Sequence, residues 1–419
     1  MTRAEPGSVQ PVDGVTRQTA AALVAAPDAA RAATMDRVLR ALGSTAAHMR
    51  AEGYCGYDPY DGLRSPIFHA PPIGSDPRLR LVVQQVIKRL AVNVRPALGI
   101  TKGLNPVTLG LAAHGHADLL AAGVGDTELH RERVAFCVAE LTSLVSPGYS
   151  GPCWGYDFDW QARRSWIPAG TPTVVATGFV TNALINAYRV TGDERAADLC
   201  AAATRFVRHD LNRLPTERGF CWSYAPGGRE RVLNASLKGA RLCAQVGELM
   251  ADPELGNEAW GAFEYALHCQ RGDGAWPYAI GDERSWVDGF HTGYVLDCLD
   301  EYRRCTGDTR VTGAIGSGWR YYRDRLFEPG GVARARDDRR YPIDATACAQ
   351  AILTLCRYGD LDRAWAVAEW TLNHLALPGG AFAYQRHRCY TNRIPYMRWS
   401  TAWMFCALAR LARAASEPR

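Results

Sequence analysis

The sequence has no long apolar run, and this absence limits where the protein is expected to work. No stretch approaches the ~20 consecutive apolar residues that a helix needs to cross a membrane. The N-terminal segment MTRAEPGSVQPVDGVTRQ also lacks the apolar core of a secretion signal. Its Pro, Gly, Ser and Gln content is typical of disorder. We therefore predict a cytoplasmic protein with a disordered tail over residues 1–28.

Signatures of cofactor and metal chemistry are missing as well. The sequence has no Gly-rich phosphate loop, nucleophile elbow or dinucleotide fingerprint. None of its 13 cysteines form a Cys-x-x-Cys pair, and most fall in apolar runs typical of buried reduced thiols. His114 and His116 are two residues apart, so they face different sides of a helix and do not form a metal-binding pair. We predict no cofactor and no metal.

The chain also lacks a strong charge of one sign. Its net charge is +5, from 48 basic and 43 acidic residues, and the basic residues are scattered. This pattern predicts no nucleic-acid partner. By contrast, aromatic residues are abundant, with 12 Trp and 18 Tyr. Both types carry a polar group that must be hydrogen-bonded, so this number exceeds what a plain helical core needs.

The strongest positive signal is a repeat of two helices. A short connector, in most copies Gly-Asp, ends one helix and caps the next, and a long aromatic loop follows the second helix. The helices that follow the long loops start at intervals of 53 to 68 residues. These starts are Asn105, Thr173, Asn234, His291, Asp344 and Trp399.

Six such units predict an all-α fold, an (α/α)6 toroid, as a single domain over residues 29–419. The first helix, 29–52, has no preceding partner and the last, 399–415, has no following one. Pairing these two helices closes the ring. All long loops then lie on one face, together with the N-termini of the inner helices. We call this face the mouth and predict it to be the binding face.

Two resemblances support this fold. The motif Gln270-x-x-x-Gly274-x-Trp276 is similar to the Gln-Trp repeat of squalene and hopene cyclases, which are α/α toroids, although their Asp-x-Asp-Asp acid motif is absent. Nearly the whole chain resembles bacterial toroid proteins associated with exopolysaccharide synthesis, some of them mislabelled as delta-aminolevulinic acid dehydratases. The segments that carry this resemblance include GYDPYDGL (56–63), CWGYDFDW (153–160), WVDGFHTGYVLDCL (286–299) and PYMRWSTAWMFCAL (395–408).

Three residues are predicted to be catalytic at the mouth: Asp58, His291 and Asp344. Glycoside chemistry needs one carboxylic acid to protonate a leaving oxygen and a second carboxylate to activate water or stabilise positive charge. A histidine near a helix N-terminus can take up or release a proton. The structural alternatives are that Asp58 caps a turn, Asp344 caps a helix and His291 bonds a loop carbonyl.

The other candidates are polar or aromatic residues of the long loops and helix starts, which would bind a small-molecule or oligosaccharide substrate. They are Tyr57, Asp61, Lys102, Asn105, Trp154, Tyr156, Asp157, Asp159, Trp160, Trp222, Asn234, Asp288, Tyr384, Arg398 and Trp399. Three functions remain open. The first is an enzyme acting on a saccharide, as a hydrolase, lyase or epimerase. The second is a terpenoid cyclase that uses Asp344 as proton donor, and the third is a non-catalytic glycan-binding toroid.

Overall fold

The computed structural model describes residues 16–162, 166–280 and 284–417, with side chains from residue 31 onward. Within these ranges the fold is mainly helical. The helices are α1 (Thr16–Ala51), α2 (Pro77–Arg89), α3 (Pro106–Ala121), α4 (Thr127–Ser143), α5 (Val174–Thr191), α6 (Glu194–Arg205), α7 (Leu233–Leu249), α8 (Pro253–His268), α9 (Gly289–Thr306), α10 (Thr312–Arg325), α11 (Ala345–Arg357), α12 (Leu361–His374) and α13 (Trp403–Ser416).

Six of these helices form a closed inner ring. Helices α3, α5, α7, α9, α11 and α13 each contact the next, and α13 contacts α3. The outer partners of the first five are α4, α6, α8, α10 and α12, and α1 packs against α13. The predicted (α/α)6 toroid is therefore confirmed, as is the pairing of the first and last helices. Of the tail predicted at 1–28, residues 1–15 lie outside the described residues, whereas residues 16–28 belong to α1.

The short connectors place an aspartate at the start of the next segment, as the sequence pattern predicts. Each aspartate accepts a hydrogen bond from a backbone N–H two or three residues later, which satisfies one of the free donors of a helix start. These residues are Asp126, Asp193, Asp252, Asp308 and Asp360. Gly192 and Gly307 end the preceding helices in the left-handed conformation. We call this end of the ring the short-connector face.

Inner helices begin at the mouth, with three differences from the predicted starts. Asn234 lies inside α7, one residue after its first residue Leu233. His291 is the third residue of α9, and Asp288 is the residue that caps this helix. Trp399 belongs to a π-helical turn, Met397–Ala402, that precedes α13. A π-turn inserts an extra residue into the helical repeat, and so changes the direction of the side chains around it.

Short antiparallel strands fix the long loops. They are β1 (Cys55–Gly56), β2 (Gly103–Leu104), β3 (Trp160–Gln161), β4 (Trp166–Ile167), β5 (Arg213–Pro215), β6 (Phe220–Trp222), β7 (Ile343–Asp344), β8 (Ala383–Arg386) and β9 (Thr391–Pro395). Strands β7, β8 and β9 form one sheet, in which Asp344 pairs with Gln385. In the described ranges, no helix has the length and apolar character needed to cross a membrane.

In four of the long loops two aromatic residues stand two positions apart, and the first residue of each of these loop pairs belongs to the core: Trp154, Trp222, Trp276 and Phe382. Trp154 is fully buried, and its indole N–H donates to the carbonyl of Leu141 on α4 at 2.8 Å. Trp276 donates in the same way to Ala266 on α8 at 2.9 Å. Trp222 is also fully buried and packs edge-on against Phe220. The prediction that Trp154 and Trp222 bind substrate is therefore wrong, because neither side chain has a surface on which a ligand could stack.

Candidate active site at the mouth

His291 is held at the mouth by the aspartate that caps its own helix. One carboxylate oxygen of Asp288 accepts the backbone N–H of His291 at 2.9 Å, and the other lies 2.7 Å from its Nδ1. Trp286 donates its indole N–H to the same second oxygen at 3.0 Å. A carboxylate only accepts, so Nδ1 carries the hydrogen and Nε2 is left as the reactive nitrogen.

The imidazole is about one-fifth exposed, and Nε2 has no hydrogen-bond partner among the described residues. Aromatic rings surround it: the centroids of Tyr278, Phe290 and Tyr294 lie 4.5, 4.1 and 5.9 Å from that of His291. Asp288, predicted as a substrate-binding residue, instead orients His291. This arrangement resembles the way a carboxylate fixes the tautomer of a catalytic histidine.

Asp344 caps α11, the inner helix next to α9 in the ring, and is fully hydrogen-bonded. Its oxygens accept the backbone N–H of Thr346 at 2.8 Å and the side-chain amide of Gln385 at 2.9 Å. The indole N–H of Trp399 lies 3.1 Å from both oxygens. Burial raises the pKa of Asp344, and these donors oppose that effect. The contacts show Asp344 holding the Trp399 ring in place, and a catalytic role stays a prediction.

Asp58 and Arg398 form a buried ion pair. The Nε and Nη2 atoms of Arg398 lie 2.7 and 2.6 Å from the same oxygen of Asp58, and both side chains are about one-twentieth exposed. The other oxygen of Asp58 accepts the backbone N–H of Tyr60 at 3.0 Å. The guanidinium also lies over the rings of Tyr156 and Trp399, at 5.0 and 4.9 Å. The structure thus brings together Asp58, predicted to be catalytic, and Arg398, predicted to bind substrate.

A group of tyrosines that the sequence analysis passed over completes the mouth. The ring of Tyr60 lies 5.6 Å from that of Trp399 and 6.2 Å from that of Trp160, which is 5.7 Å from Tyr224. Lys88 of α2 donates to the Tyr60 hydroxyl at 2.5 Å, so α2 reaches the mouth. Burial raises the pKa of Tyr224 and Tyr294 well above the ordinary value. Their hydroxyls therefore remain protonated and can donate to a ligand.

The remaining predicted residues divide by their contacts. Asp61 forms a buried ion pair with Arg95 at 2.6 Å, and Lys102 pairs with Glu52, the residue after the outer helix α1. Asp157 accepts from Arg64 at 2.6 Å and from the side chain of Asn105 at 2.9 Å. The prediction that Asp61 binds substrate is not supported, because its side chain is buried against Arg95, whereas Lys102 is nearly half exposed and its role stays a prediction.

The last four predicted residues make contacts within the protein that differ from one to the next; they are Asp159, Tyr57, Tyr384 and Asn234. Asp159 accepts the backbone N–H of Ala169 at 2.8 Å, which fixes its loop. Tyr57 packs on a small apolar cluster that includes Tyr384, whose ring lies 5.0 Å from that of Tyr396. Asn234 is buried, and its amide nitrogen has no partner in the part of the chain that the structure describes.

The closed ring of six inner and six outer helices defines the fold class as an α/α toroid. No family model matches the chain, and no curated protein matches it either. Solved structures of similar shape do exist, and three of them cover most of this chain.

The first is an α-mannanase of glycoside hydrolase family 76 from Bacteroides thetaiotaomicron, with 11% identity, a TM-score of 0.59, and coverage of 76% of this chain and 90% of that one. The second is the cellobiose 2-epimerase from Bacillus thermoamylovorans, with 12% identity, a TM-score of 0.57, and coverage of 73% and 87%. The third is an unsaturated glucuronyl hydrolase specific for heparin, with 13% identity, a TM-score of 0.57, and coverage of 91% and 97%. At these identities the similarity establishes the fold.

Proposed function

We propose that the protein is an enzyme that acts on a saccharide or saccharide conjugate by moving a proton at the mouth, with His291 as acid and base. The observation that carries this proposal is the orientation of His291. Asp288 fixes Nδ1, and Nε2 is left without a partner among the described residues, next to aromatic rings on the loop face. The names of the three similar structures, all enzymes of saccharides, agree with this substrate class.

The contacts of the carboxylates favour proton transfer to and from carbon over hydrolysis by a pair of acids. Hydrolysis of a glycoside needs two carboxyl groups that face the scissile bond. Asp58 is bound to Arg398 and the Tyr60 backbone, and Asp344 accepts from Gln385, Trp399 and Thr346. Proton abstraction and return, as in an epimerase or lyase, requires one base of intermediate basicity, which a histidine provides.

The other mouth residues have complementary roles in this proposal. Trp399, held by Asp344, and Trp160 offer faces on which the apolar side of a sugar ring can stack. Arg398, positioned by Asp58, supplies positive charge that stabilises an enolate-like intermediate or a uronate carboxylate. The tyrosine hydroxyls donate to sugar oxygens. A role in polysaccharide biosynthesis, which the sequence resemblance implies, belongs to this proposal.

The polar character of the mouth also weighs against the terpenoid cyclase hypothesis. An isoprenoid cavity is expected to be almost entirely aromatic, because it must stabilise a carbocation without quenching it. Here the mouth holds a buried Asp–Arg pair, an Asp–His pair and several protonated tyrosines. The glycan-binding hypothesis differs from the proposed function only in predicting no turnover, so a measurement of turnover distinguishes the two.

The test is to incubate the protein in deuterated water with cellobiose, mannooligosaccharides and saturated oligouronides. Proton transfer at carbon introduces deuterium into the sugar, which NMR detects, whereas hydrolysis releases new reducing ends and a lyase reaction creates a carbon–carbon double bond. We expect deuterium incorporation or double-bond formation. Replacing the base, as in His291→Ala, is expected to lower kcat by about 100-fold or more. The proposal fails if the only product is a new reducing end, or if His291→Ala retains full activity.

Two further variants sharpen this test. Asp288→Asn can still cap α9 but favours the wrong tautomer of His291, so we expect a lower kcat with little change in KM or thermal stability. His374→Ala is the matched control, because this exposed histidine lies at the end of outer helix α12 and bonds only the Trp370 carbonyl. Its activity should equal that of the wild type. Oligosaccharide binding with no turnover by any variant would favour the glycan-binding hypothesis.

A further inference from the structure

A cavity of about 440 Å³ lies inside the ring on the side of the short-connector face, away from the mouth loops. It extends from Lys238 and Tyr294, in the middle of the ring, to Arg304, Arg413 and Glu417 near the C-terminal ends of the inner helices. This volume lies within the range of small-molecule sites. Tyr294 forms part of its wall, so the cavity and the mouth lie on either side of the same residue.

Most of the positive charges that line this cavity have a structural explanation. Arginines in the last turns of inner helices interact favourably with the helix dipoles. They are also paired: Arg189 and Arg304 each lie 3.0 Å from Glu301, and Arg410 and Arg413 lie 2.9 and 3.0 Å from Asp118. The Asp118 pairs join the neighbouring helices α13 and α3, the Arg189 pair joins α5 to α9, and the Arg304 pair lies within α9.

Two cations deeper in the cavity are different. Lys238 and Arg241, both on α7, form no ion pair shorter than 4 Å within the described residues. Lys238 is 1% exposed, and its ammonium lies 3.8 and 3.7 Å from the ring centroids of Phe179 and Tyr294. Arg241 is 5% exposed and donates one N–H to the carbonyl of Gly178 at 2.7 Å, while its buried Nε has no hydrogen-bond partner in the described part of the chain.

Such an arrangement is unfavourable unless another group completes it. Asp297 on α9 also lines the cavity, but its oxygens are engaged by Gln350, Thr354 and Arg357. A buried charge without a direct counter-charge is costly, and a buried donor without an acceptor adds to this cost. Residues three apart on a helix lie on the same face, so one anion can contact both Lys238 and Arg241. The chain also makes room for Lys238, because a Cβ at Gly178 on α5 would come within 2.5 Å of the Lys238 Cβ.

The wall next to these cations is aromatic. The Phe179 ring lies 5.2 Å from that of Tyr294 and 5.1 Å from that of Trp403, and all three residues line the cavity. Such a wall suits the apolar body of an organic ligand, whose charged group would point towards α7.

We propose that this cavity binds a small organic anion, with a phosphate or carboxylate group that lies between Lys238 and Arg241. The proposal concerns a second site, which faces the short-connector end of the ring, and it does not depend on the reaction at the mouth. Phosphate and carboxylate share the chemistry of an oxyanion that accepts hydrogen bonds from both side chains.

The test is isothermal titration calorimetry of the full chain with inorganic phosphate, glucose 1-phosphate and glucuronate. We expect at least one of these anions to bind the wild type, and Lys238→Met and Arg241→Gln each to weaken its binding by tenfold or more. Arg303→Gln is the matched control. Arg303 lies in the last turn of α9, at the short-connector end of the ring, and pairs with Asp300 at 2.8 Å, but it does not line the cavity. Comparing the two phosphates with glucuronate shows which oxyanion the site prefers.

Circular dichroism should first show that each variant is folded, and the use of two variants means that the test does not depend on one of them. The proposal is overturned if the affinity is the same in the wild type, Lys238→Met and Arg241→Gln. It is also overturned if none of the three anions binds the wild type at about 10 mM, a concentration well above the Kd of ordinary small-molecule sites.

Discussion

Among single residues, Lys238 has the clearest thermodynamic consequence. Burial lowers the pKa of its ammonium group to about 7, with a further lowering by Arg241, whereas Asp297 and Cys298 on α9 raise it. In the unfolded chain a lysine titrates near pH 10.4. Between about pH 7 and 10 the unfolded state therefore binds more protons than the folded state. Stability must rise with pH in this window, since the cost of burying the charge is lost as the folded amine deprotonates.

We predict that the free energy of unfolding of the wild type increases relative to that of Lys238→Met by about 1.4 kcal/mol per pH unit above pH 7. Urea unfolding of both proteins, without added anion, at pH 7 and pH 8.5 measures this difference. Contributions from buried tyrosines and cysteines are common to the two proteins, so they cancel. A constant difference between the two pH values would show that Lys238 is already neutral or is solvated in the folded state.

The site residues show what a single sequence reveals and what it hides. His291 and Asp288 were placed at the mouth by the repeat, but their mutual contact follows from the cap geometry. In the loop pairs, Trp154 and Trp222 are buried in the core, whereas Tyr156, which was predicted, and Tyr224, which was not, reach the mouth. The second aromatic is always Tyr, whose hydroxyl needs a polar partner, and this pattern was an available signal.

At the scale of single elements, contacts between a loop and its neighbouring outer helix depend on small residues. Trp276 is anchored to α8 and packs on α10 at Gly318, where an added Cβ would lie 2.1 Å from the indole ring. The ring cannot move away, because its N–H is bonded to Ala266 and the side chain is 2% exposed. The position of this loop therefore requires a residue without a side chain at 318.

We predict that Gly318→Ala lowers the free energy of unfolding by about 1–3 kcal/mol, the usual cost of overpacking a core. The matched control is Gly316→Ala on the same helix, where the nearest atom to an added Cβ is a terminal nitrogen of Arg320 at 3.8 Å. This control should stabilise the protein by about 0.5–1 kcal/mol, since alanine favours the helix over glycine. Chemical denaturation of the wild type and both variants measures these free energies of unfolding. Equal changes in the two variants would contradict the packing argument.

The elements themselves were predictable to different degrees. Helices of the repeat were identified because apolar periodicity and Asp caps coincide at each connector. The π-turn at Met397–Ala402 was not, since it produces no distinct pattern of apolar residues. The approach of α2 to Tyr60 was also missed, because a contact between Lys88 and a loop 28 residues earlier leaves no periodic signal.

For the whole molecule, closure of the ring makes every inner helix equivalent in its number of neighbours. In an open array of repeats the terminal units have one neighbour and unfold first. Here α13 contacts both α11 and α3, so none of the six inner helices is terminal. The sequence predicted this closure because its first and last helices lacked partners, but it did not predict the cavity inside the ring. That cavity depends on residues from all six inner helices that are distant in the chain.

We predict that amide hydrogen exchange, followed by mass spectrometry, gives similar protection for α3, α7 and α13, because global unfolding is the common route to exchange. Helix α2 is the internal control. It lies outside the ring and packs on loop segments, so it should exchange faster. A gradient of protection that decreases from the middle of the chain towards α3 and α13 would mean that the ring opens at its closing contact.

The contact between α13 and α3 has one more consequence. This contact is equivalent to the contacts between consecutive inner helices. The packing of the ring therefore does not show where the chain begins and ends. The order in which the hairpins are synthesised is therefore separable from the order in which they pack. A circularly permuted chain, opened at the Gly192-Asp193 connector and joined by a linker between α13 and α1, would keep every helix beside its present neighbours.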